Sequence, residues 1–406
     1  MPRPKTDVRV RVGGRELTEW KTYDIESNLL QAADAFSFTA ANTGGKLAGL
    51  VRKFDRVEVL VDGDVQLTGY VDDVNWRVDP DGGAVVEIVG RDNFGQLVDN
   101  SADPASYSNL DLEGLAKKIA GQWVTAWTVH NEANRRALTQ AKGRADRALR
   151  RNVEALLELQ RDEVAATGRT TGTSIDALEA SAKATLAAKF NLAALRARVF
   201  PRVKISPGDS IFDTLAKAAK KVGLLVWNAA DGSGIISAPN YNQDPLYALF
   251  QYPPTSSDRA LNNCKNFAAV ETGRDQFQTY RYAATSGNTS ANDKRSSIHE
   301  HTITDADVTI PRKMFITGAT SNRAEAKKAA EREQQKQRFA ALDIKITAKG
   351  HENRGRLWQI DTLCSLVDEI AGFSGVYYVT TRRFTGALGG GQSTMVTLRP
   401  KGLFLV

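Results

Sequence analysis

The first hundred residues alternate apolar and polar positions in a way that predicts short antiparallel strands. Val8, Val10 and Val12 alternate with arginines, as a strand with one buried and one solvated face requires. The turn sequences at 62–64 and 79–83 lie between apolar runs and predict β-hairpins. Residues 1–103 are therefore expected to form a small β-barrel or sandwich that ends near Asp103–Pro104.

The spacing of apolar residues becomes helical after residue 104. Residues 111–119 and 209–221 place apolar side chains at helical intervals and predict two short helices. Between them, residues 133–198 contain 17 alanines, no proline and three glycines, a composition that favours helix. We expect a long antiparallel helical hairpin over 130–199, inserted into an α+β domain that spans 104–244.

Strand patterns return after residue 245. Strands are predicted at 343–349, 363–368, 376–384 and 394–398, with a further strand at 308–315. Asn322 and Glu325 form a capping box that begins a helix over 322–342. Residues 245–406 are thus expected to be a second, mostly β unit, which makes the chain α+β and mainly β.

Composition places the chain among ordinary soluble globular proteins. It has 406 residues, of which 42% are hydrophobic and 25% charged, so two or three domains are expected at roughly 150 residues each. We expect neither an ordinary signal peptide nor a membrane anchor, because no apolar run is long enough. The two cysteines, Cys264 and Cys364, lack metal-ligand or redox spacing and are expected to be reduced core residues.

Positive charge is concentrated in the predicted hairpin. The net charge is +7, and residues 130–199 hold 13 lysines and arginines against 8 acidic residues. Its arginines could contact phosphates, which leaves nucleic-acid binding open as an alternative function; they are Arg135, Arg136, Arg144, Arg147, Arg150 and Arg151. Acidic residues follow directly and no aromatic residue occurs between His130 and Lys189, so a solvated face or a protein contact is the favoured interpretation.

Catalytic patterns are weak. The sequence holds no nucleophile elbow, phosphate loop, zinc-protease motif or cysteine pair. His299 and His301 share one face of a predicted strand and could bind a metal, but an exposed pair is the favoured interpretation; His130 and His351 have no ligand spacing. Asp62, Asp64, Asp79 and Asp81 flank glycines at hairpin tips, where aspartate serves turn geometry. The Gly389–Gly391 run precedes a strand pattern and is interpreted as a hairpin tip.

We therefore expect no enzyme, and no catalytic, cofactor-binding or metal-binding residue. A cell-wall hydrolase is a further alternative, but no spare domain-sized segment has carboxylate or metal-site character.

Several short segments along the chain carry a resemblance to one known family. In the N-terminal unit they are Gly14–Trp20, Gly69–Asp72, Gly90–Asp92 and Leu97–Asp99. In the middle they are Asp209–Ala216 and Gly223–Trp227, and near the end Gly355–Trp358 and Leu398–Val406. Together these segments resemble the baseplate hub proteins of Mu-like contractile-tailed phages, a late control D-like family related to the hub of type VI secretion spikes. The similarity follows chain order throughout, except for 130–199, which does not align with the family.

The resemblance implies a structural hub. Its fold would be two tube-like β-barrel domains, 1–103 and 245–406, around the α+β domain. Three copies would form a ring that joins the sixfold tail tube to the threefold central spike. Through this connection the ring would take part in penetration of the host envelope. The implied partners are tube or tube-initiator protein, spike protein and two further copies, with wedge or other peripheral baseplate proteins at the hairpin. No cofactor and no stable nucleic-acid partner are expected, and the location would be the virion baseplate after assembly in the host cytoplasm.

Overall fold

The computed structural model describes residues 6–42, 49–79, 83–130, 200–221, 224–285, 298–318 and 323–401. The helical hairpin predicted over 130–199 lies outside the described residues except for its first residue. The arginines that carry its charge, the cap at Asn322 and the acidic turn residue Asp81 also lie outside them.

Seven strands and one helix form the N-terminal unit. They are β1 Val8–Val12, β2 Arg15–Leu17, β3 Thr22–Asn28, β4 Ala35–Ala41, β5 Arg56–Val61, β6 Asp64–Asp79, β7 Gly83–Asp92 and α1 Asn93–Asp99. In β1 the valines are buried and the arginines exposed, which confirms the predicted alternation. Asp62 and Gly63 join β5 to β6 with φ of 52° and 89°. Positive φ at both positions is the type I′ geometry that a two-residue hairpin favours, so this predicted hairpin is confirmed.

The middle unit surrounds the insertion point. Its elements are β8 Ser106–Leu110, α2 Leu112–Ala120, β9 Trp127–His130, β10 Phe200–Lys204, α3 Ile211–Lys221, β11 Leu225–Asn228 and β12 Gly234–Ser237. Strand β9 pairs in parallel with β12, and β10 pairs antiparallel with β8. Trp127 and Val203, which precede and follow the insertion, lie in one hydrophobic core with Leu215 of α3. The chain therefore leaves and re-enters the same core.

The C-terminal unit contains the remaining strands and the longest described helix. They are β13 Tyr247–Gln251, β14 Cys264–Glu271, β15 Thr279–Thr285, β16 Ile298–Thr304, β17 Lys313–Gly318, α4 Arg323–Ala341, β18 Leu342–Lys349, β19 Glu352–Asn353, β20 Arg356–Leu357, β21 Thr362–Asp368, β22 Phe373–Ala387 and β23 Gly391–Pro400. A 3₁₀ turn covers Ser257–Leu261. Helix α4 agrees with the helix predicted over 322–342. The strand predicted over 308–315 is wrong in its first half, because Pro311 has no backbone N–H to give a sheet and β17 begins only at Lys313.

One large sheet connects the two ends of the chain. Its path runs β14-β18-β23-β22-β3-β4-β7-β6-β5-β1-β2, with β21 added to β22 and β13 added to β21. The two ends meet where β3 pairs antiparallel with β22, from Asn28 opposite Thr381 to Thr22 opposite Ala387. Small sheets hold β8 with β10, β9 with β11 and β12, β15 with β16 and β17, and β19 with β20.

The fold is mainly β with four α-helices in the described ranges, but the two separate barrels expected from the sequence are not confirmed. The strand path of the described residues is open, and the N-terminal and C-terminal units share one sheet. Alternation in a sequence shows that a strand has one buried face; it carries no information about which distant strand pairs with it.

The main core crosses this shared sheet. Ile25 and Phe384 lie opposite each other in the β3–β22 pairing and are fully buried. Tyr247 and Trp358 pack in the same core with ring centroids 4.2 Å apart. Burial of each large apolar side chain contributes about 1.5–3 kcal/mol, so the two units stabilise one another. Cys264 and Cys364 are free thiols, as predicted. None of the described helices has the length and apolar character of a membrane span.

Candidate assembly interface

Asparagine side chains cover the outer edge of β13. Asn263 accepts from the backbone N–H of Phe250 at 2.9 Å and donates to the carbonyl of Ala248 at 2.9 Å. Asn353 accepts from the N–H of Ala248 at 3.0 Å and donates to the same carbonyl at 2.9 Å. An amide side chain offers one acceptor and two donors, and so replaces the backbone of a neighbouring strand.

The same arrangement continues beyond the end of β13. Asn262 accepts from the backbone N–H of Tyr252 at 2.7 Å and donates to its carbonyl at 3.0 Å. Together the three asparagines satisfy the backbone groups of three alternate residues along this edge. An edge whose N–H and C=O groups are already satisfied offers no template to another strand.

Strand β14 has an open outer edge. Its inner side pairs with β18, and the N–H of Thr272 donates to the carbonyl of Ala341 at 2.8 Å in continuation of that ladder. Backbone groups alternate along a strand, so those of Phe267 and Ala269 point away from β18. Beyond the start of β14, no strand of the described ranges pairs with this outer side. Val270 is 64% exposed there.

The distal half of β6, residues 72–79, has a second open edge. The pairing of β5 with β6 ends where Arg56 lies opposite Tyr70, whereas β7 pairs with β6 as far as Asp79. Residues 72–79 are thus paired on one side only within the described part of the chain, and this half-strand equals β14 in length. Trp76 and Val78 on it are 47% and 81% exposed. Two exposed apolar side chains beside an open edge are unusual for a monomeric surface and typical of an interface.

These open edges bound a regular arrangement of eight strands. The order from β14 to β6 is β14-β18-β23-β22 from the C-terminal unit followed by β3-β4-β7-β6 from the N-terminal unit. Each unit contributes a block of four antiparallel strands. The blocks are joined by the antiparallel β22–β3 pairing. The outer strands of the eight, β14 and the distal half of β6, each have an open edge.

A buried arginine lies at the joint between the blocks. Arg382 of β22 donates to Gln66 Oε1 of β6 at 2.8 Å and to Ser27 Oγ of β3 at 2.7 Å. Its guanidinium lies over the ring of Phe384, 4.3 Å from the centroid. Burial lowers the pKa of Arg382 to about 10. The side chain therefore connects three strands of the two units through neutral partners.

Asp34, an acidic residue that interacts electrostatically with this arginine, is paired with Asp92. The N–H of Asp34 donates to Asp92 Oδ2 at 3.0 Å, and Asp34 Oδ1 accepts from the N–H of Asn28 at 2.8 Å. Asp92 also caps α1 by accepting from the N–H of Phe94 at 2.8 Å. Asp34 as a whole is partly exposed, but its carboxyl group is enclosed. Burial therefore raises the pKa of Asp34 to about 6, although the positive charge of Arg382 acts to lower it. Burial, and then the charge of Asp34, raise the pKa of Asp92 well above its ordinary value.

The histidines lie on or next to β-strands. His351 is buried, with Nε2 at 2.7 Å from the Tyr23 hydroxyl and Nδ1 at 3.1 Å from Thr394 Oγ1. Burial lowers the pKa of His351 to about 3, so the ring is neutral and joins the two units by hydrogen bonds. His299 and His301 lie on β16, and His130 ends β9. No group of three or more histidine, cysteine, aspartate or glutamate side chains that could hold a metal occurs in the described ranges.

The other sequence candidates lie at turns. Asp62 accepts from the backbone N–H of Asp7 at 2.8 Å. Gly389 and Gly391 have φ of 79° and 82° and join β22 to β23, which confirms the predicted hairpin tip. Sequence reasoning did not find the asparagines that cover β13 or the buried Arg382. The adjacent pair Asn262–Asn263 directly before a strand is a local signal for the former, whereas an arginine within a strand gives no sign of its burial.

Two segments of the chain match known protein families. Residues 7–92 match the N-terminal family of Mu phage baseplate assembly protein GpP-like proteins. Residues 336–403 match the C-terminal domain family of an NMB1110-like tail protein. Among curated protein sequences, no match was found.

The whole chain resembles solved tail-protein structures in fold. A tail protein from Neisseria meningitidis MC58 superposes with a TM-score of 0.72 at 22% identity, covering 99% of this chain and 98% of that one. A 43 kDa tail protein of prophage MuSo2 from Shewanella oneidensis gives 0.69 at 18% identity, with 97% and 98% covered. The lidded Francisella PdpA–VgrG complex gives 0.51 at 9% identity, with 98% of this chain and 53% of that chain covered. The family matches, together with this shared fold, support a structural protein of a phage tail or baseplate.

Proposed function

We propose that the chain is the baseplate hub of a contractile phage tail and acts as a ring of three copies. In this ring the open edge of β14 in one copy pairs with the open edge of β6 in the next. The observation that carries the proposal is the eight-strand arrangement, in which β14 at one end and residues 72–79 of β6 at the other have an open edge. Such a head-to-tail contact is heterologous, so it closes into a ring when the rotation between copies permits.

The two blocks explain how one chain would adapt between symmetries. Three copies would supply six four-stranded blocks around a central channel, which suits a sixfold tail tube on one side. The alternation of N-terminal and C-terminal blocks has true threefold symmetry, which suits a threefold spike on the other. Within one chain the two blocks are joined by the pairing of β22 with β3. The pairing of β14 with β6 would join blocks of neighbouring chains in the same way.

The remaining parts of the proposal follow from the resemblance. The partners would be tube or tube-initiator protein above the ring and spike protein below it, and the barrels expected at 1–103 and 245–406 would complete when neighbouring copies supply strands. The insertion at 130–199 would reach a wedge or other peripheral baseplate protein. The hub would act without catalysis, assemble in the host cytoplasm and enter the virion baseplate. The nucleic-acid alternative rests on arginines outside the described residues and is not favoured.

The ring is tested by electron microscopy of the purified chain, alone and mixed with its neighbouring tail proteins. We expect class averages with threefold symmetry and a central hole. Monomers in both preparations would contradict the proposal.

A disulfide experiment tests the edge pairing itself. In a Cys264→Ser background, Val270→Cys and Asp73→Cys together are expected to give oxidised dimers and trimers, because each copy would present one thiol to each neighbour. Both residues point to the face of the sheet away from the core, as a disulfide between paired edges requires. Leu30→Cys with Ile370→Cys is the matched control, since both residues are also exposed, at 45% and 58%, but lie in turns and not on either edge. Equal crosslinking of both pairs would count against specific edge pairing.

A further inference from the structure

A groove of about 550 Å³ lies between the middle unit and helix α4. Strand β10 contributes Lys204, helix α3 contributes Lys217 and Lys220, and α4 contributes Arg332. These four cations face one carboxylate in the groove lining, Asp209. The groove is therefore strongly positive, although the described units around it carry charges of both signs.

Three of the four cations have no anionic partner in the described part of the chain. Lys217 donates to Asp209 Oδ1 at 2.6 Å, which neutralises the single carboxylate of the groove. Asp213 adds a weaker attraction to the same lysine. No ion pair within the described ranges involves Lys204, Lys220 or Arg332. Three uncompensated cations that converge from three elements raise the local concentration of anions.

The floor of the groove favours a peptide over a nucleic acid. Val203, Thr214 and Ala218 line it and are buried. No aromatic residue is among the lining residues, whereas single-stranded nucleic acids are held largely by stacking on aromatic side chains. Small apolar groups below a rim of cations suit an extended chain that alternates short apolar and acidic side chains.

We propose that this groove is a docking site for an acidic, extended peptide segment of a protein partner. The acidic side chains of the segment pair with Lys204, Lys220 and Arg332, and its apolar side chains rest on Val203 and Ala218. Because Arg332 belongs to α4 and the lysines to the middle unit, a bound segment also holds these two units together. The inference goes beyond the ring proposed above and is measured on the single chain, so its failure leaves the ring untouched.

The experiment measures fluorescence anisotropy of a labelled hexapeptide of alternating glutamate and valine, titrated with the full chain at low and moderate salt. We expect saturable binding that weakens as salt rises, because exposed ion pairs are screened. The charge-reversal variant Lys204→Glu, Lys220→Glu, Arg332→Glu is expected to lose about tenfold or more in affinity, because three attractive ion pairs become repulsive.

The matched control variant reverses the same number of exposed charges elsewhere. Lys118→Glu, Lys313→Glu and Arg274→Glu change two lysines and one arginine outside the groove, and are expected to keep most of the affinity. Equal loss in both variants would show that net charge alone attracts the peptide and would overturn the inference. Tighter binding of a labelled oligothymidylate, lost through the groove variant, would make a nucleic acid the ligand and would also overturn it.

Discussion

Strands β13 and β14 lie close together in the C-terminal unit, yet their outer edges differ completely. Asn262, Asn263 and Asn353 satisfy the backbone groups along β13, while the backbone groups of Phe267 and Ala269 on β14 have no strand beside them in the described ranges. Of these two neighbouring strands, the chain therefore covers the edge of β13 and leaves that of β14 open. An edge left open beside a covered one indicates a surface meant for pairing.

The contrast extends to the centre of the sheet. The β22–β3 joint is an edge pairing of the kind proposed between β14 and β6, but inside one chain it is reinforced by Arg382, Tyr23 and His351. Covered edges and the reinforced joint should thus govern the stability of the monomer. The open edges should govern assembly and contribute little to that stability.

The largest expected effect is loss of the ring in Ala269→Pro. The N–H of Ala269 points away from β18, so proline removes a group that only a neighbouring copy would use. We expect monomers in electron microscopy with the free energy of unfolding changed by about 1 kcal/mol or less. Ala268→Pro is the control, because its N–H serves the β14–β18 ladder; it should lower the free energy of unfolding by about 1–3 kcal/mol. Rings formed by Ala269→Pro would refute the role of this edge.

The next effect concerns the covered edge. Asn263→Ala leaves the N–H of Phe250 without its side-chain acceptor and removes one donor from the carbonyl of Ala248. We expect the free energy of unfolding in urea to fall by about 1–3 kcal/mol, the desolvation penalty of unpaired groups. Asn266→Ala, an exposed asparagine on β14, should change it by less than about 0.5 kcal/mol. Similar losses for both variants would mean that the Asn263 side chain on the edge of β13 contributes nothing specific to stability.

A smaller effect depends on pH and concerns the joint. Burial raises the pKa of Asp34 to about 6, so its contribution to stability is fully present below the ordinary aspartate pKa and is lost as pH rises through about 6. Asp34→Asn should raise the free energy of unfolding by about 1–2 kcal/mol at pH 7.5 and change it little near pH 4. Thermal or urea unfolding over this pH range measures it. A gain of equal size at both pH values would assign the effect to something other than the titration of this carboxyl.

The smallest effect expected is that of Tyr23→Phe. The Tyr23 hydroxyl lies 2.7 Å from His351 Nε2 and accepts from Gln392 Nε2 at 2.9 Å, so it links β3 to two segments of the C-terminal unit. Its loss should lower the free energy of unfolding by about 1 kcal/mol. Because the ring of Tyr23 lies directly over Gly386, Gly386→Ala provides a steric comparison: an added Cβ would come within 2.4 Å of the ring and should destabilise more. A neutral Gly386→Ala would show that the joint has room to adjust.

Local elements of this protein could be predicted from the sequence where local physics decides them. The alternation in β1, the Asp62–Gly63 turn and helix α4 were predicted because side-chain period, positive φ and helix propensity act over a few residues. The predicted start of the strand over 308–315 was wrong, because apolar spacing was given more weight than Pro311, which has no backbone N–H for a sheet. The candidate interface was not predicted at all, since whether an edge is covered depends on side chains such as Asn353, which lies more than a hundred residues from Ala248.

The sequence by itself thus determined a mainly β chain, free cysteines, and the hairpin tips at Asp62–Gly63 and Gly389–Gly391. Only the tertiary structure decided that the two β units share one sheet, that Arg382 is buried at their joint, and that β14 and the end of β6 remain open. The physical reason is that a strand carries the same alternating pattern whichever strand pairs with it, so partner and register are selected by packing between distant segments.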